Sequence, residues 1–238
     1  MRAQLYLYDS LRFKYKEPYR LYIDTYTKRI APVFDNIEEE ANQIANDHYR
    51  GMGAYFNPDY HDEGDFADAA LEKGLEHYEG LSLIRYNTEL MWISTMYQFW
   101  EQQVRKFLFE EISRTHKMYD KKNNEITFKS FCTRGIGEIK ETFLEFNYNL
   151  ESLTIWSDID ELRLLANVIK HGDGQSASQL EQLKPSFFKS QISNSNLLEL
   201  YKSTLTEIVL NIHESDFSRY GDALMKFWDE LPERMYSK

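Results

Sequence analysis

Apolar residues along most of this chain recur every three or four positions, which is the spacing of one face of an α-helix. The strongest example runs from about residue 83 to 115, where apolar residues cover more than one side of the predicted helix. A long helix with so broad an apolar surface is expected to be central and to pack on several sides. Further helices are predicted at about 15–26, 33–49, 65–79, 136–150, 156–171, 195–213 and 216–230.

Residues that break helices mark the connections between these segments. Pro18 is expected in the first turn of the first helix, where a missing N–H is tolerated, and Pro32 interrupts the chain before the second helix. The segment 51–59 predicts a loop, and 116–135 predicts a polar connection with a short extended piece at 126–128. The tyrosines at positions 15, 19, 22 and 26 share one predicted face and indicate core or dimer surface.

The order of these segments predicts an all-α fold, an up-and-down helical bundle of seven or eight helices around the long central helix at about 83–115. The whole chain, 1–238, is expected to form a single domain. In it, a helical extension at 1–80 precedes a helical core at 81–238.

Composition agrees with a globular protein, since 42% of the 238 residues are hydrophobic and 15% are aromatic. No stretch approaches the ~20 apolar residues of a membrane span, and the first residues contain no continuous apolar run of the kind that a secretory signal has. A cytoplasmic protein without membrane association is therefore expected. Cys132 is the only cysteine, which excludes an internal disulfide and a zinc site built from several cysteines.

The net charge of −11 belongs to one segment of the chain. Residues 34–79 contain 13 acidic residues against two basic ones, and the remainder is neutral. The segment 115–140 is modestly basic, with six basic residues against three acidic ones. An anionic partner such as RNA is therefore permitted, and the acidic segment 34–79 indicates a basic protein partner or a cover over a basic surface.

Histidine, aspartate and glutamate residues, which can bind a metal, occur around 61–65 and 72–77, but they do not form an HExxH motif or a calcium loop. A solvated acidic helix and loop is the favoured interpretation of these residues. Neither a metal nor another cofactor is expected.

The most informative segment lies at the end of the helix predicted at 156–171. At about 100° per residue, Arg163, Asn167, Lys170 and His171 form one polar stripe, while Leu162, Leu165, Val168 and Ile169 occupy the opposite side. Basic residues in the last turn suit the negative end of the helix dipole, and Gly172 is expected to end the helix in a left-handed conformation. A capped helix with a solvated polar face accounts for this pattern equally well.

The stripe resembles the motif of the HEPN family of small helical domains. In that family an arginine and a polar neighbour precede a histidine near a helix end, and many members cleave RNA without a metal at a homodimer interface. Asn167 and His171 match the polar neighbour and the histidine, whereas Ala166 occupies the position of the motif arginine. Arg163 is the nearest arginine, one turn earlier on the same face.

The resemblance implies a homodimeric, metal-independent endoribonuclease of the defence or toxin type. In that function His171 would transfer protons, Lys170 and Arg163 would offset phosphate charge, and Asn167 would orient a phosphate oxygen or the imidazole. The alternative is a non-catalytic helical module whose stripe binds a partner protein or a small anionic ligand.

Two further groups of residues are candidates for binding substrate or supporting the stripe. Glu101, Gln102 and Arg105 on the central helix either form a surface salt bridge, Glu101 to Arg105, or lie opposite the stripe within the bundle. Asp173 and Ser176 follow the helix end, where they contribute to a ligand site or belong to an ordinary exit loop. Pairing of Asp173 with Lys170 is a further interpretation.

Overall fold

The computed structural model describes residues 3–119, 122–190, 192 and 195–237, and the all-α fold is confirmed. Some residues used in the sequence-based expectations lie outside this part. They are Met1 and Arg2, which belong to the expectation about a leader segment, and Asp120 and Lys121, which belong to the expectation about charge. The helices in the described part are α1 (Asp9–Thr25), α2 (Ile37–Gly53), α3 (Glu63–Ser113), α4 (Phe128–Phe131), α5 (Ile136–Glu145), α6 (Trp156–His171), α7 (Gln175–Leu183), α8 (Leu197–Tyr201) and α9 (Glu214–Glu230).

A two-stranded antiparallel sheet, which the helical periodicity does not predict, joins the two ends of the described chain. Strand β1 (Gln4–Tyr6) pairs with β2 (Arg234–Tyr236), and Leu5 lies opposite Met235. Both of these side chains are buried, so the short sheet closes one end of the core.

The central helix is longer than predicted. The segments expected at 65–79 and 83–115 form one continuous helix of 51 residues, α3, which begins where the Asp62 side chain accepts a hydrogen bond from the Gly64 N–H. A single glycine such as Gly80 costs a helix only about 1 kcal/mol and does not break it without a second signal. The predicted boundary near residue 80 therefore falls inside a helix.

The first half of α3 packs against α2, and together they form a two-helix arm. The helices approach closely at Gly74, because a Cβ atom added there would lie 2.9 Å from the Ala41 carbonyl oxygen and 2.9 Å from the Ala45 Cβ. The loop predicted at 51–59 is shorter than expected, since α2 continues to Gly53.

Pro18 lies in the middle of α1, where the sequence-based expectation of a first-turn proline is wrong because the helix begins at Asp9. The tyrosine face is mostly core: Tyr15, Tyr19 and Tyr26 are buried. Tyr15 packs against Trp228 of α9 with ring centroids 4.4 Å apart. The helix then widens into a π-helical turn at Tyr26–Ile30 before Pro32.

The prediction of a helix at 195–213 is wrong. Only Leu197–Tyr201 is helical, and the chain from 202 to 213 is irregular. Tyr86 of α3 holds this segment, because its hydroxyl oxygen accepts hydrogen bonds from the N–H groups of Val209 (3.3 Å) and Leu210 (3.0 Å). The same hydroxyl donates to the Thr204 carbonyl at 3.0 Å. Side-chain hydrogen bonds from another helix replace the helical ladder here.

Three smaller differences concern the ends of predicted elements. The helix predicted at 136–150 ends at Glu145, and Phe128, expected in an extended piece, begins the short helix α4. Gln175–Leu183 forms a helix, α7, where the small polar residues after Gly172 predict a loop. Each difference lies at a connection, where local sequence signals are weakest.

The core is centred on α3, α9 and α6. Trp100 of α3 meets Phe227 of α9 edge to face with ring centroids 5.0 Å apart, and both side chains are fully buried. Beside them, Phe107 packs edge to face on Trp228. Across the described residues, no helix combines the length and the apolar character that a membrane span requires.

Candidate functional site

Helix α6 carries the polar stripe, and its bounds, Trp156–His171, agree with the prediction. Leu162, Leu165 and Val168 are fully buried, which fixes the rotation of the helix and leaves the stripe on its outer side. Gly172 ends the helix with φ at 70°, and its N–H donates to the Val168 carbonyl at 2.8 Å. This left-handed conformation favours glycine because it has no Cβ atom.

The last turn of α6 presents Lys170 and His171 to solvent, next to a half-buried Asn167. None of these three side chains forms a hydrogen bond or an ion pair with another described residue. The segment after α8 also contacts the backbone of this turn, since the Thr204 hydroxyl donates to the Val168 carbonyl at 3.2 Å. The turn is therefore a fixed support for two adjacent exposed groups that can exchange protons or carry charge.

Arg163 is placed differently from the other residues of the stripe. Its side chain is 20% exposed, and its Nε donates to Asp160 Oδ1 at 2.8 Å. Arg163 lies about 12 Å along the axis from His171, at a rise of ~1.5 Å per residue. The ion pair with Asp160 draws the guanidinium toward the N-terminus of α6, so within one chain Arg163 does not join the group formed by Lys170 and His171.

Arg163 instead lies beside α3. Burial and the neighbouring carboxylate of Glu101 raise the pKa of the Tyr97 phenol, and the positive charges of Arg163 and Arg105 act in the opposite direction. The Tyr97 hydroxyl lies 3.4 Å from Glu101 Oε1, and Glu101 Oε2 lies 3.0 Å from Arg105 Nη2.

Glu101 and Arg105 are therefore an interior pair, with side chains only 18% and 14% exposed. The ion pair between Glu101 and Arg105 that the first interpretation expects is present, but it is largely buried and not on the surface. Neither residue forms a hydrogen bond or an ion pair with a described residue of the stripe. Arg105 also donates from Nε to the Arg134 carbonyl at 2.7 Å, which ties α3 to the chain before α5. This geometry gives the pair a role in holding helices together.

The remaining candidate residues form no hydrogen bond or ion pair with Lys170 or His171 in the described part of the chain. Gln102 is exposed and lines a groove between α1, α3 and α4. Asp173 is exposed, Ser176 is half-buried in the first turn of α7, and no ion pair between Asp173 and Lys170 is present among the described residues.

A cluster of charged residues around Glu161 is absent from the sequence-based predictions. Glu161 is 4% exposed, and its carboxylate accepts hydrogen bonds from the Tyr220 hydroxyl (2.7 Å) and from Arg219. Lys184 Nζ lies 3.5 Å from the same carboxylate, and Arg219 also pairs with Asp158. Burial, together with the charge of Glu161, raises the pKa of the Tyr220 phenol.

One sequence signal indicates this cluster. Glu161 precedes Leu164, Leu165 and Val168 at helical spacing, so a carboxyl group occupies a position on the apolar face of α6. A buried carboxylate requires partners, but their identity depends on α9 and on the chain after α7. Because Glu161 is fully engaged, its geometry indicates a structural connection between α6 and α9.

Metal ligands do not gather in the part of the chain that the structure describes, where no group of three or more histidine, cysteine, aspartate and glutamate residues is placed to hold an ion. No protein-family model matches the chain, and no curated protein or solved structure is significantly similar to it. Function is therefore inferred from the geometry of this chain and from the resemblance of its α6 motif.

Proposed function

We propose that this protein acts on RNA through the last turn of α6, as a metal-independent endoribonuclease in which His171 transfers protons. The supporting observation is the arrangement of Lys170 and His171. They are adjacent and exposed on a helix end that is buried on its other side and held by Gly172 and Thr204. The resemblance of Asn167 and His171 to the HEPN motif supplies the substrate class.

The chemistry follows from the residue types. The His171 imidazole accepts the proton of a ribose 2′-hydroxyl, whose oxygen then bonds to the adjacent phosphorus. The bond from phosphorus to the 5′ oxygen breaks, and that oxygen takes up a proton to leave as a 5′-hydroxyl. The other product carries a 2′,3′-cyclic phosphate. Lys170 offsets the charge that develops on the phosphate oxygens, and the Asn167 amide donates a hydrogen bond to one of them.

In this proposal a second copy of the chain supplies the second proton-transferring group, which the last turn of one α6 lacks. The reaction needs one group to accept a proton and another to donate one, and Arg163 is engaged with Asp160. We place the two-fold axis of a symmetric homodimer beside the α6 end, so that this end faces its equivalent in the second copy and two His171 side chains share the acid and base roles. Arg163 then acts as a positioning residue within α6, through its ion pair with Asp160.

The test is hydrolysis of total RNA in the presence of EDTA by the wild type, His171→Ala and Lys170→Ala. We expect His171→Ala to lose at least about 100-fold in rate, the usual range for a proton-transferring side chain. Lys170→Ala is expected to lose about tenfold. His116→Ala is the matched control, because His116 is also an exposed histidine after a helix and its Nδ1 contacts the Thr115 hydroxyl.

The products distinguish this mechanism from others. Cyclic phosphate ends and loss of cleavage on 2′-deoxy substrates are expected. Equal rates for the wild type and His171→Ala, or complete loss of activity with EDTA, would contradict the proposal. Equal rates with intact folding would leave the non-catalytic binding module as the better account of the stripe.

A second candidate function, binding of a basic partner protein, is favoured by the surface of the arm. Leu71, Leu75 and Tyr78 lie at helical spacing on α3 and are 67%, 51% and 43% exposed. They belong to the acidic segment 34–79, so pairing of two copies through this row would bring like charges together. A basic amphipathic helix matches both the apolar row and the charge.

A synthetic helical peptide with leucine on one face and lysine on the other is a suitable probe for the arm. We expect Leu75→Gln to weaken its binding about tenfold, because one fully used apolar contact is worth about that factor and the charge of the arm is unchanged. A scrambled peptide of the same composition that binds equally well would show that only charge attracts it and would contradict this candidate.

A further inference from the structure

A groove of about 580 Å³ lies between α1, α3 and the short helix α4, away from the last turn of α6. Tyr15 and Pro18 of α1, Phe99 of α3 and Phe128 of α4 supply most of its apolar wall. Its volume falls within the roughly 300–1,000 Å³ that is typical of sites for small molecules.

Pro18 lies in the middle of α1 and lines this groove. Proline has no N–H and cannot donate to the Lys14 carbonyl, and its ring pushes against the preceding turn. Gln103 of α3 braces the helix here: its Nε2 donates to the Tyr15 carbonyl at 3.1 Å, and its Oε1 accepts from the Tyr19 hydroxyl at 2.7 Å. The side-chain amide of Gln103, which lines the groove, is therefore hydrogen-bonded at both its oxygen and its nitrogen, and it links α3 to α1.

The charged side chains that line the groove are all positive. Lys14, Arg105 and Lys106 line it, and no aspartate or glutamate is among its described lining residues, although the chain has a net charge of −11. Arg105 is paired with Glu101, and Lys106 Nζ lies 3.8 Å from Glu110. Lys14 is exposed and has no ion pair with any described residue, so its charge is available to a ligand.

We propose that this groove binds a small amphipathic anion, with an aromatic or alkyl body and one carboxylate, sulfonate or phosphate head. The body lies against Tyr15, Phe99 and Phe128, where burial of apolar surface supplies affinity. The head lies beside Lys14, whose ammonium group attracts a negative charge. The walls are apolar and the volume is limited, which favours a small molecule over the evenly charged backbone of a nucleic acid.

Cys132 provides the readout, because it is the only cysteine, it is exposed and it lines the groove. The probe is naphthalene-2-sulfonate, titrated into the full chain by calorimetry and then tested for protection of Cys132 against N-ethylmaleimide. We expect saturable binding that slows alkylation. Naphthalene-2-carboxylate is expected to behave in the same way, and naphthalene-2-methanol, which has no charge, to bind about tenfold more weakly.

Charge variants locate the site. Lys14→Glu is expected to weaken binding of the sulfonate tenfold or more and to remove the protection of Cys132. Lys28→Glu is the matched control, because it changes the net charge equally at an exposed lysine just after α1 whose partner is Asp24. Should Lys14→Glu fail to fold, Lys106→Gln provides a milder variant, for which a loss of binding in the same direction is expected.

Three results would overturn the proposal. One is equal affinity for the sulfonate and for naphthalene-2-methanol, since charge would then have no role. Another is equal loss of binding in Lys14→Glu and Lys28→Glu. The third is protection of Cys132 by inorganic sulfate at the same concentration as the naphthalene compound, since the apolar body would then contribute nothing.

Discussion

Arg163 Nε lies 2.8 Å from Asp160 Oδ1, one turn nearer the N-terminus of α6. Helical side chains lean toward the N-terminus, so this ion pair continues the natural direction of the arginine. The pair keeps the guanidinium away from His171. Two residues that share a stripe in the sequence therefore have different surroundings: Arg163 is half-buried and paired with Asp160, and His171 is exposed to solvent.

The first prediction follows from this placement of Arg163. Arg163→Ala is expected to lower the free energy of unfolding by on the order of 0.5–1 kcal/mol, the usual scale of a partly exposed ion pair. RNA cleavage per folded molecule is expected to change far less than in His171→Ala. Urea unfolding and cleavage rates measured on the same samples check both statements, and equal losses of rate in the two variants would show that Arg163 contacts the substrate.

The second prediction concerns the hydroxyl group of Tyr86. Tyr86→Phe leaves the N–H groups of Val209 and Leu210 and the Thr204 carbonyl without their partner. We expect the free energy of unfolding to fall by about 1–3 kcal/mol, because a buried polar group without a partner has lost its hydrogen bonds to water and gains none in the protein. Faster amide hydrogen exchange at 209 and 210 is the specific sign. Tyr22→Phe is the control, and unchanged exchange at both amides in Tyr86→Phe would contradict the prediction.

The third prediction compares two glycines of α3. Gly74→Ala is expected to destabilise the protein by about 1–3 kcal/mol, since the new methyl group meets the backbone of α2 at Ala41. Gly80→Ala is expected to stabilise it by about 0.5–1 kcal/mol, because nothing lies within 4 Å of the added Cβ and alanine favours the helix. Thermal unfolding of both variants provides the measurement, and shifts of the same sign would contradict the close packing of the arm.

The fourth prediction is a dependence of stability on pH. Burial on α3, with Glu214 and Asp216 nearby, raises the pKa of Glu89, and the charge of Arg85 opposes this. A carboxyl group with a higher pKa in the folded state binds protons more readily there than in the unfolded chain. Its contribution to stability therefore falls as the pH rises from about 4, near the unfolded pKa, through the folded pKa.

Glu89→Gln removes this titration. The variant is expected to be more stable than the wild type at pH 7 and to approach it near about pH 3, below the unfolded pKa, where the glutamate is protonated in both states. Denaturant unfolding across this range measures the difference. Glu79→Gln, at an exposed position of the same helix, serves as the control, and a difference that grows as the pH falls would have the wrong sign.

Much of the architecture could be predicted because helical periodicity is a local property. The spacing of Leu162, Leu165 and Val168 identifies the buried face of α6, and Gly172 marks its end. The same reasoning failed at 195–213, where an apolar spacing compatible with a helix is held in an irregular conformation by Tyr86. A partner distant in sequence overrode the local preference there.

The candidate site was predictable only in part, for the same reason. That Lys170 and His171 are exposed follows from the rotation of one helix. The charges of Glu101, Arg105 and Arg163 all act on Tyr97, and Lys14 lines a groove. Both relationships depend on how the helices are packed together.

By itself, the sequence determined that this protein is helical, which face of each main helix is apolar, and where α6 presents its histidine. Only the tertiary structure decided that Arg163 pairs with Asp160, that Glu161 is buried beneath Tyr220 and Arg219, and that Lys14 lines a groove. The physical reason is that periodicity describes each helix about its own axis. The partners of a polar side chain are set by the packing of several helices, which no local pattern encodes.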